Sequence, residues 1–312
     1  MSDARMIWAN LLHLSFNMWC DHDVPELEAN YTCYKPRLRF DQKLWDELLR
    51  RMVQAGMNMV VIDLGDGVRY ESHPEIAVRG AWSPKRLRSE LAKIRGMGLE
   101  PIPKLNFSTC HDAWLGPYSR CVSTDAYYTV CRDLIREAAA LFGRPRLFHL
   151  GMDEETAQHQ RNFEYVVIRQ HGLWWRDLHF LIEQVQKSGS RAWVWSDYLW
   201  HHPDLFWRKM PKSVLQSNWY YGRSFSRKLT YVQAYLDLQE HGYDQVPTAS
   251  NWSDAVNFPR TVAFCRRNLD GRRLKGFLQT SWKPTLPGCR QRHLEAIRIA
   301  AESIARWPKR RT

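Results

Sequence analysis

The sequence has no stretch of roughly 18 consecutive apolar residues, the length that a membrane-spanning helix needs. Its most apolar stretches are interrupted by polar residues such as Asn10, His13 and Asn17. It also lacks low-complexity segments, Gly/Ser-rich linkers and sequence repeats. The 312 residues are 44% hydrophobic and 25% charged, which allows a sizeable core and excludes a disordered chain. We therefore expect one domain over residues 1–312, with no accessory domain, that is not integral to a membrane.

The seven cysteines form no C-x-x-C pair, and their number is odd. Free thiols in a reducing compartment fit this usage better than a disulfide framework does. The N-terminal run 6–16 contains Asn and His and lacks a small-residue cleavage site, so it predicts a first strand rather than an export signal. We expect a cytoplasmic protein. If an export signal precedes the chain, pairs such as Cys20 with Cys33 or Cys110 with Cys121 can form.

Basic residues exceed acidic ones, 45 Lys and Arg against 33 Asp and Glu, and the net charge is +12. Such a charge raises nucleic acid, an anionic membrane surface or an acidic substrate as partners. The basic residues are scattered through helix-like segments, however, and only Lys309 to Arg311 forms a terminal run. We expect a solvated basic surface, with neither a membrane nor a nucleic-acid partner. The sequence does not indicate the oligomeric state.

Short apolar runs alternate along the chain with amphipathic segments of helical period, which is typical of βα units around a parallel sheet. A doubly wound sheet would need a Gly-rich phosphate turn, and no G-x-G-x-x-G or P-loop motif occurs. Eight βα units therefore predict an α/β fold, a single (β/α)8 TIM barrel without a nucleotide cofactor. The predicted strands span 6–18, 57–64, 99–106, 146–152, 191–197, 213–220, 245–251 and 274–281. The predicted helices span 41–56, 84–98, 124–143, 162–189, 203–210, 227–242, 258–268 and 291–307.

Aromatic and acidic residues recur where the predicted strands end, and this edge carries the active site in TIM barrels. The run 148–155 ends in three consecutive acids, Asp153, Glu154 and Glu155. Grouped acids repel one another, so they indicate a functional site, with a solvated acidic loop as the alternative. Aromatic faces stack on sugar rings, and carboxylates bind hydroxyls and transfer protons, so the edge predicts carbohydrate chemistry. The other residues at this edge are Trp19, Asp21, Asp63, Asp66, Asn106, His111, Trp195, Asp197, Asn218, Trp219, Tyr220, Tyr221, Asn251, Trp252, Asp254, Ser281 and Trp282.

Six motifs in order along the chain resemble the catalytic barrel of glycoside hydrolase family 20, the β-N-acetylhexosaminidases. Residues 149–154, His-Leu-Gly-Met-Asp-Glu, are similar to the family's strand-four motif H-x-G-G-D-E. The other five matches lie at 58–69, 98–111, 192–197, 218–220 and 276–282.

This resemblance implies a glycosidase that cleaves a terminal 2-acetamido sugar by a substrate-assisted, retaining mechanism. Glu154 would act as general acid and then as base. Asp153 would orient the acetamido group, whose carbonyl oxygen attacks the anomeric carbon, and Tyr220 would donate a hydrogen bond to that oxygen. No metal and no cofactor are implied. The pocket residues implied beside these three are Asp66, His111, Trp195, Asp197, Asn218, Trp219, Trp252 and Trp282.

Several positions depart from the family pattern, so the substrate can differ, for example an acidic or otherwise modified amino-sugar glycan. Met152 replaces the second glycine of the family's strand-four motif, and Pro284 replaces the acid that the family has two residues after the strand-eight Trp. Lys104 and Asn106 stand where the family has acids in strand three, and Asn218 stands where the family has an Asp in strand six.

Three alternatives remain beside the leading interpretation. One is a catalytically silent carbohydrate-binding barrel. Another is a two-carboxylate glycosidase with Glu154 as acid and Asp197 or Asp254 as nucleophile. Metal-dependent hydrolysis is the least expected, since no H-E-x-x-H motif occurs.

The leading interpretation sets a geometric condition, because neighbours in a regular strand point to opposite faces. Asp153 and Glu154 can both face the mouth only if the strand has ended before them.

Overall fold

Eight parallel strands form one sheet in the computed structural model, which describes residues 6–308. Neighbouring strands in the sheet follow the order β6-β5-β4-β3-β2-β1-β8-β7. Isolated parallel bridges, such as Trp219 with Thr248, link the two outer strands and close the sheet. The predicted (β/α)8 TIM barrel is confirmed. The strands are β1 Ile7–His13, β2 Met59–Asp63, β3 Glu100–Lys104, β4 Leu147–His149, β5 Arg191–Trp195, β6 Leu215–Ser217, β7 Thr248–Ser250 and β8 Gly276–Thr280.

Among residues 6–308, the α-helices begin and end close to the predicted positions, except for the start of α4 and for the short α5, which was not predicted. Helix α4 begins at Gly172, whereas the pattern predicts a start at 162, because residues 162–171 form a loop over the mouth of the barrel. The helices are α1 Gln42–Gln54, α2 Pro84–Gly96, α3 Asp125–Leu141, α4 Gly172–Lys187, α5 Tyr198–His201, α6 Pro203–Lys209, α7 Thr230–Glu240, α8 Asn257–Asn268 and α9 Arg290–Ala305. The basic run Lys309 to Arg311 lies outside the described residues.

Local capping explains where several helices start. The Asp41 carboxylate accepts a hydrogen bond of 2.7 Å from the Leu44 amide at the start of α1. The Ser83 hydroxyl accepts from the amide of Arg86 at the start of α2, which has proline in its first turn. These contacts satisfy amide groups that have no partner within the helix. Within residues 6–308, no helix combines the length and the apolar character needed to cross a bilayer.

The interior of the barrel is apolar at its lower end and polar beneath the mouth. Successive inward positions of β1 are Ile7, Ala9 and Leu11, which lie in a buried apolar cluster shared with the other strands, and then His13. At this upper level Lys104 Nζ lies 2.5 Å from Asp63 Oδ2, and both side chains are buried. Burial alone would raise the pKa of Asp63, but the Lys104 charge and His13 lower it overall. A buried ion pair therefore forms the floor beneath the mouth.

Candidate active site

The three acids after β4 lie on a turn, residues 151–155, and not on the strand; this segment is called the acidic turn. The backbone of Gly151, Met152 and Glu154 has φ values of 71°, 75° and 56°, in the left-handed region that L side chains rarely adopt. Glycine is required at 151, because a Cβ there would overlap the side chain of Asn106. The turn satisfies the geometric condition set by strand alternation: Asp153 Oδ2 and Glu154 Oε2 lie 3.4 Å and 3.3 Å from the same atom, Nε2 of His111.

His111 and Asp153 form a buried charged pair. Burial alone would lower the pKa of His111, but the charges of Asp153 and Glu154 and the contacts with them raise it to about 10. Burial would also raise the pKa of Asp153, whereas His111 and the Asn106 amide, which donates to Asp153 Oδ1 at 2.8 Å, lower it well below its usual range. At neutral pH, a positive imidazolium thus faces an ionised Asp153.

Asp197, two residues after β5, is hydrogen-bonded to the backbone of the acidic turn. Its Oδ2 accepts a hydrogen bond of 2.8 Å from the Glu154 amide. Burial, followed by the negative charge of Asp153, raises the pKa of Asp197. Its second oxygen, Oδ1, is buried without a hydrogen-bond partner among residues 6–308. Asp197 therefore positions Glu154 and favours its own neutral form, rather than adding another negative charge.

Glu155 is held in a buried ion pair, unlike its two neighbours in the sequence. Arg169 binds both of its oxygens, with Nε 2.9 Å from Oε1 and Nη2 2.5 Å from Oε2. Both side chains are buried, and Arg169 also lies 3.3 Å from Asp177 of α4. Met152 is buried beside the same arginine, with Sδ 3.9 Å from Nη2. Arg169, which the sequence analysis did not single out, ties the acidic turn to the 162–171 loop.

Asp66 lies in a separate buried network at the end of β2. Its carboxylate accepts hydrogen bonds from the Ser15 hydroxyl and, at 2.8 Å, from Asn17 Nδ2. Arg39 donates to Asn17 Oδ1 at 3.0 Å, which places a cation beside the pair. Burial raises the pKa of Asp66 to about 6, although these hydrogen bonds oppose the shift. Its bonded partners belong to the β1 side of the mouth, not to the acidic turn.

We expect Asp66→Asn to change how stability depends on pH. The folded state holds a proton on Asp66 up to about pH 6, whereas the unfolded chain releases it near pH 4, so this contribution to stability is full below pH 4 and is lost as the pH rises through 6. Relative to wild type, the variant should gain about 3 kcal/mol in free energy of unfolding between pH 4 and pH 7. Urea denaturation across this range measures the difference, and a constant difference would contradict the expectation.

Three tryptophans form an aromatic wall at the centre of the mouth. The ring centroids of Trp195 and Trp282 lie 6.0 Å apart, and those of Trp19 and Trp282 lie 6.5 Å apart. Trp19 also contacts His111 edge-on at 5.9 Å. Trp252, predicted to wall the pocket, is 59% exposed. The structure therefore places Trp252 at the surface, because it follows the short β7 strand on a loop that leaves the barrel.

Of the two tyrosines after β6, it is Tyr221 that approaches the acids. Tyr221 is half-buried, and its hydroxyl accepts a hydrogen bond of 2.9 Å from Trp282 Nε1. Its ring stacks on Trp219, with centroids 5.0 Å apart. Burial raises its pKa, and the charges of Glu154 and Asp153 add to this effect. The Tyr220 ring, by contrast, packs against those of Phe225 and Tyr231.

Asn218 does not offer its side chain to the mouth. Its Oδ1 accepts from Trp200 Nε1 at 2.8 Å, and its Nδ2 donates to the Tyr231 carbonyl at 2.7 Å. Both polar atoms of the Asn218 side chain are therefore occupied within the protein. Asn218 therefore anchors the loop after β6, and its substrate-binding role stays a prediction.

A cleft of about 640 Å³ opens beside Glu154. Its lining includes Asp197, Trp174, Trp219, Tyr220 and Tyr221. The cleft has the size of a small-molecule site and is rich in aromatic rings, which suits sugar rings.

The chain is similar in fold to solved structures of family 20 enzymes. A chitobiase from Flavobacterium johnsoniae superposes with a TM-score of 0.65 and 17% sequence identity, over 96% of this chain and 48% of its own. An N-acetyl-β-hexosaminidase from Streptomyces plicatus gives 0.62 and 13%, over 95% of this chain and 64% of its own. The chain has the fold of the family 20 catalytic barrel. Dispersin B, with a TM-score of 0.60 and 13% identity, is matched over 95% of this chain and 98% of its own.

The relationship to family 20 enzymes is seen in the fold. The chain spans about half of the Flavobacterium johnsoniae chitobiase and of an exo-β-N-acetylglucosaminidase from Vibrio harveyi. No family model and no curated protein sequence matches the chain. At 9–17% identity, the family 20 fold is shared while individual residues have changed.

Proposed function

We propose that the protein is a glycoside hydrolase that resembles exo-β-N-acetylhexosaminidases and releases a terminal 2-acetamido sugar with retention of configuration. The observation that carries this proposal is the convergence of Asp153 and Glu154 on His111, with Tyr221 beside them. The shared family 20 fold supports the same chemistry. The Vibrio harveyi enzyme is described in complex with N-acetylglucosamine, which supports a carbohydrate substrate.

In the proposed first step, the Glu154 carboxyl donates its proton to the glycosidic oxygen. The carbonyl oxygen of the substrate's acetamido group attacks the anomeric carbon as the bond to the leaving group breaks, and a positively charged bicyclic intermediate forms. Ionised Asp153 accepts a hydrogen bond from the acetamido N–H and stabilises the positive charge. Tyr221 donates a hydrogen bond to the attacking carbonyl oxygen and holds it in place.

In the second step, the Glu154 carboxylate takes a proton from water, and the resulting hydroxide oxygen attacks the anomeric carbon. The bond from that carbon to the acetamido oxygen breaks, and the acetamido group is restored. Two displacements at one carbon give net retention. Glu154 returns to its protonated form, so the cycle needs no other acid or base among the charged side chains of the turn.

The two-carboxylate alternative is less well supported by the positions of its nucleophiles. The Asp254 carboxylate lies 2.5 Å from Nε of Arg223 and accepts a hydrogen bond from the Val256 amide. Asp254 therefore stabilises the loop before α8. Asp197 is bound to the Glu154 amide, and its raised pKa disfavours the ionised form that a nucleophile needs. The acetamido group of the substrate is then the best-placed nucleophile.

Matched aryl glycosides test the proposed function. We expect hydrolysis of aryl β-N-acetylglucosaminide or β-N-acetylgalactosaminide, and a kcat/KM at least about 100-fold lower for the aryl β-glucoside, which lacks the internal nucleophile. A silent carbohydrate-binding barrel would bind amino-sugar glycans without turnover. An acidic glycan substrate would instead be turned over when a glycan carrying carboxylate or sulfate is supplied.

Phenylalanine variants of the two neighbouring tyrosines should behave differently. Tyr221→Phe removes the hydroxyl beside Trp282 and should lower kcat by about 10-fold to 100-fold, because a hydrogen-bond donor to the reacting oxygen is lost. Tyr220→Phe is the matched control, and its ring packing on Phe225 should preserve activity within about twofold. Steady-state kinetics on the aryl substrate measures both. A larger loss for Tyr220→Phe would contradict the assignment of Tyr221.

A further inference from the structure

His111 is placed like a metal ligand between two carboxylates. It is 4% exposed, and neither ring nitrogen has a hydrogen-bond partner of good geometry among residues 6–308. Its Nε2 lies 3.4 Å from Asp153 Oδ2 and 3.3 Å from Glu154 Oε2, which is long for a hydrogen bond. Ligands held about 2.0–2.1 Å from a tetrahedral metal ion are about 3.3–3.4 Å apart. The two separations therefore match two edges of a zinc coordination tetrahedron.

The donor set selects the class of ion. One imidazole nitrogen and two carboxylate oxygens, all within 4.8 Å of one another, suit a borderline divalent ion such as Zn²⁺. Mg²⁺ and Ca²⁺ prefer oxygen ligands throughout, so the imidazole disfavours them. His159 Nε2 lies 3.5 Å from Glu154 Oε1 and is 44% exposed, which makes it an available fourth ligand, with water as the other choice.

Hydrogen bonds from neighbouring residues also orient two of the three ligands, as is usual for metal ligands. The Asn106 amide donates to Asp153 Oδ1 at 2.8 Å and leaves Oδ2 for the ion. Asp197 fixes the backbone of Glu154 through the 2.8 Å hydrogen bond to its amide. These contacts orient two of the three donors before any ion binds, which lowers the ordering cost of coordination.

We propose that His111, Asp153 and Glu154 form a binding site for one Zn²⁺ ion, and that the bound ion inhibits the enzyme. On coordination the Nε2–H bond of His111 breaks, the proton passes to the solvent, and the nitrogen lone pair binds the ion. The ion occupies the carboxylates of Asp153 and Glu154 and thus competes with the amino sugar. The binding site itself does not depend on the proposed function, whereas inhibition rests on it.

A second cluster provides an internal control. Cys20, Asp21 and His22 also have ligand atoms within 4.8 Å of one another. There, His22 Nδ1 already lies 2.9 Å from Asp21 Oδ1, and the Cys20 thiol donates to two backbone carbonyls, those of His22 and Asn162. Burial raises the pKa of Cys20, which disfavours the thiolate that zinc needs. We expect this cluster to bind zinc more weakly than His111 and its partners do.

Calorimetric titration of the full chain with ZnCl₂, in the absence of substrate, tests the site. We expect one saturable site in wild type, at least about tenfold weaker binding in His111→Gln, and binding within about twofold of wild type in His22→Gln. MgCl₂ should give no saturable binding. No saturation with zinc, or loss of binding in His22→Gln but not in His111→Gln, would overturn the proposal.

Two further measurements separate this proposal from misfolding and from failure of the proposed function. Circular dichroism establishes whether His111→Gln is folded, and Asp153→Asn replaces it if it is not. With an active enzyme, zinc should raise the apparent KM for the aryl β-N-acetylglucosaminide and leave kcat unchanged. An unchanged KM at saturating zinc would overturn inhibition. A protein that binds zinc through His111 but hydrolyses no glycoside would instead disprove the proposed function alone.

Discussion

Glu154→Gln is expected to lower kcat/KM for an aryl β-N-acetylhexosaminide by at least about 100-fold, because a positioned general acid contributes about 10²–10⁴ to the rate. Glutamine keeps the size of the side chain and cannot donate the proton to the leaving group. The Glu154 amide would still reach Asp197 Oδ2, since this contact uses the backbone. The turn should therefore remain in place, and the loss would report proton transfer.

Varying the basicity of the leaving group distinguishes proton transfer by Glu154 from a role in binding. An aryl oxygen that is a good leaving group needs little protonation, so the loss in Glu154→Gln should grow as the leaving group becomes more basic. Glu164→Gln is the matched control, because Glu164 is exposed on the 162–171 loop, and its kcat/KM should stay within about twofold of wild type. A loss that does not depend on the leaving group would assign Glu154 a binding role.

The second large effect concerns stability. Arg169→Met should lower the free energy of unfolding by about 3–5 kcal/mol, because it leaves Glu155 and Asp177 buried without their cation. Ser123 and Tyr128 still donate to Asp177, so the larger part of the loss should come from Glu155. Urea denaturation at neutral pH measures the difference.

Arg176 offers a control for the charge change. It also approaches Asp177, with 4.0 Å between Nε and Oδ1, but its side chain is 63% exposed. Arg176→Met should therefore change the free energy of unfolding by less than about 1 kcal/mol. Equal effects of Arg169→Met and Arg176→Met would contradict the structural role assigned to the buried pair.

The barrel was predictable from the sequence because its strands are apolar and several of its helices are followed by a glycine with positive φ. Within the described residues 6–308, all eight strands and eight of the nine α-helices correspond to predicted segments, and α5 was not predicted. The predicted strands were too long at their C-terminal ends, as in β4, which stops at His149 rather than 152. The apolar pattern continues there while the backbone turns, since Leu150 and Met152 are buried without belonging to a strand. Hydrophobicity reports burial, and it does not show where hydrogen-bonded pairing stops.

The acidic part of the site was predictable because Asp153 and Glu154 are adjacent in a recognisable motif. Tyr221 was placed at the same edge from the sequence, but the resemblance gave the hydrogen-bonding role to its neighbour Tyr220. Arg169 had no local signal, because its partner Glu155 lies 14 residues away and the connecting loop has no regular pattern. Contacts between loops of different βα units are set by the closed barrel, which spacing along the chain does not encode.

The measurement that tests the central claim most directly is the rate of hydrolysis across a series of aryl glycosides whose N-acetyl group carries none, one, two or three fluorines. Fluorine withdraws electrons from the carbonyl oxygen and makes it a poorer nucleophile, while the leaving group and the sugar hydroxyls stay the same. If the acetamido group attacks the anomeric carbon, kcat/KM falls steeply with each fluorine. A rate that is independent of fluorination would contradict substrate-assisted hydrolysis at Asp153 and Glu154.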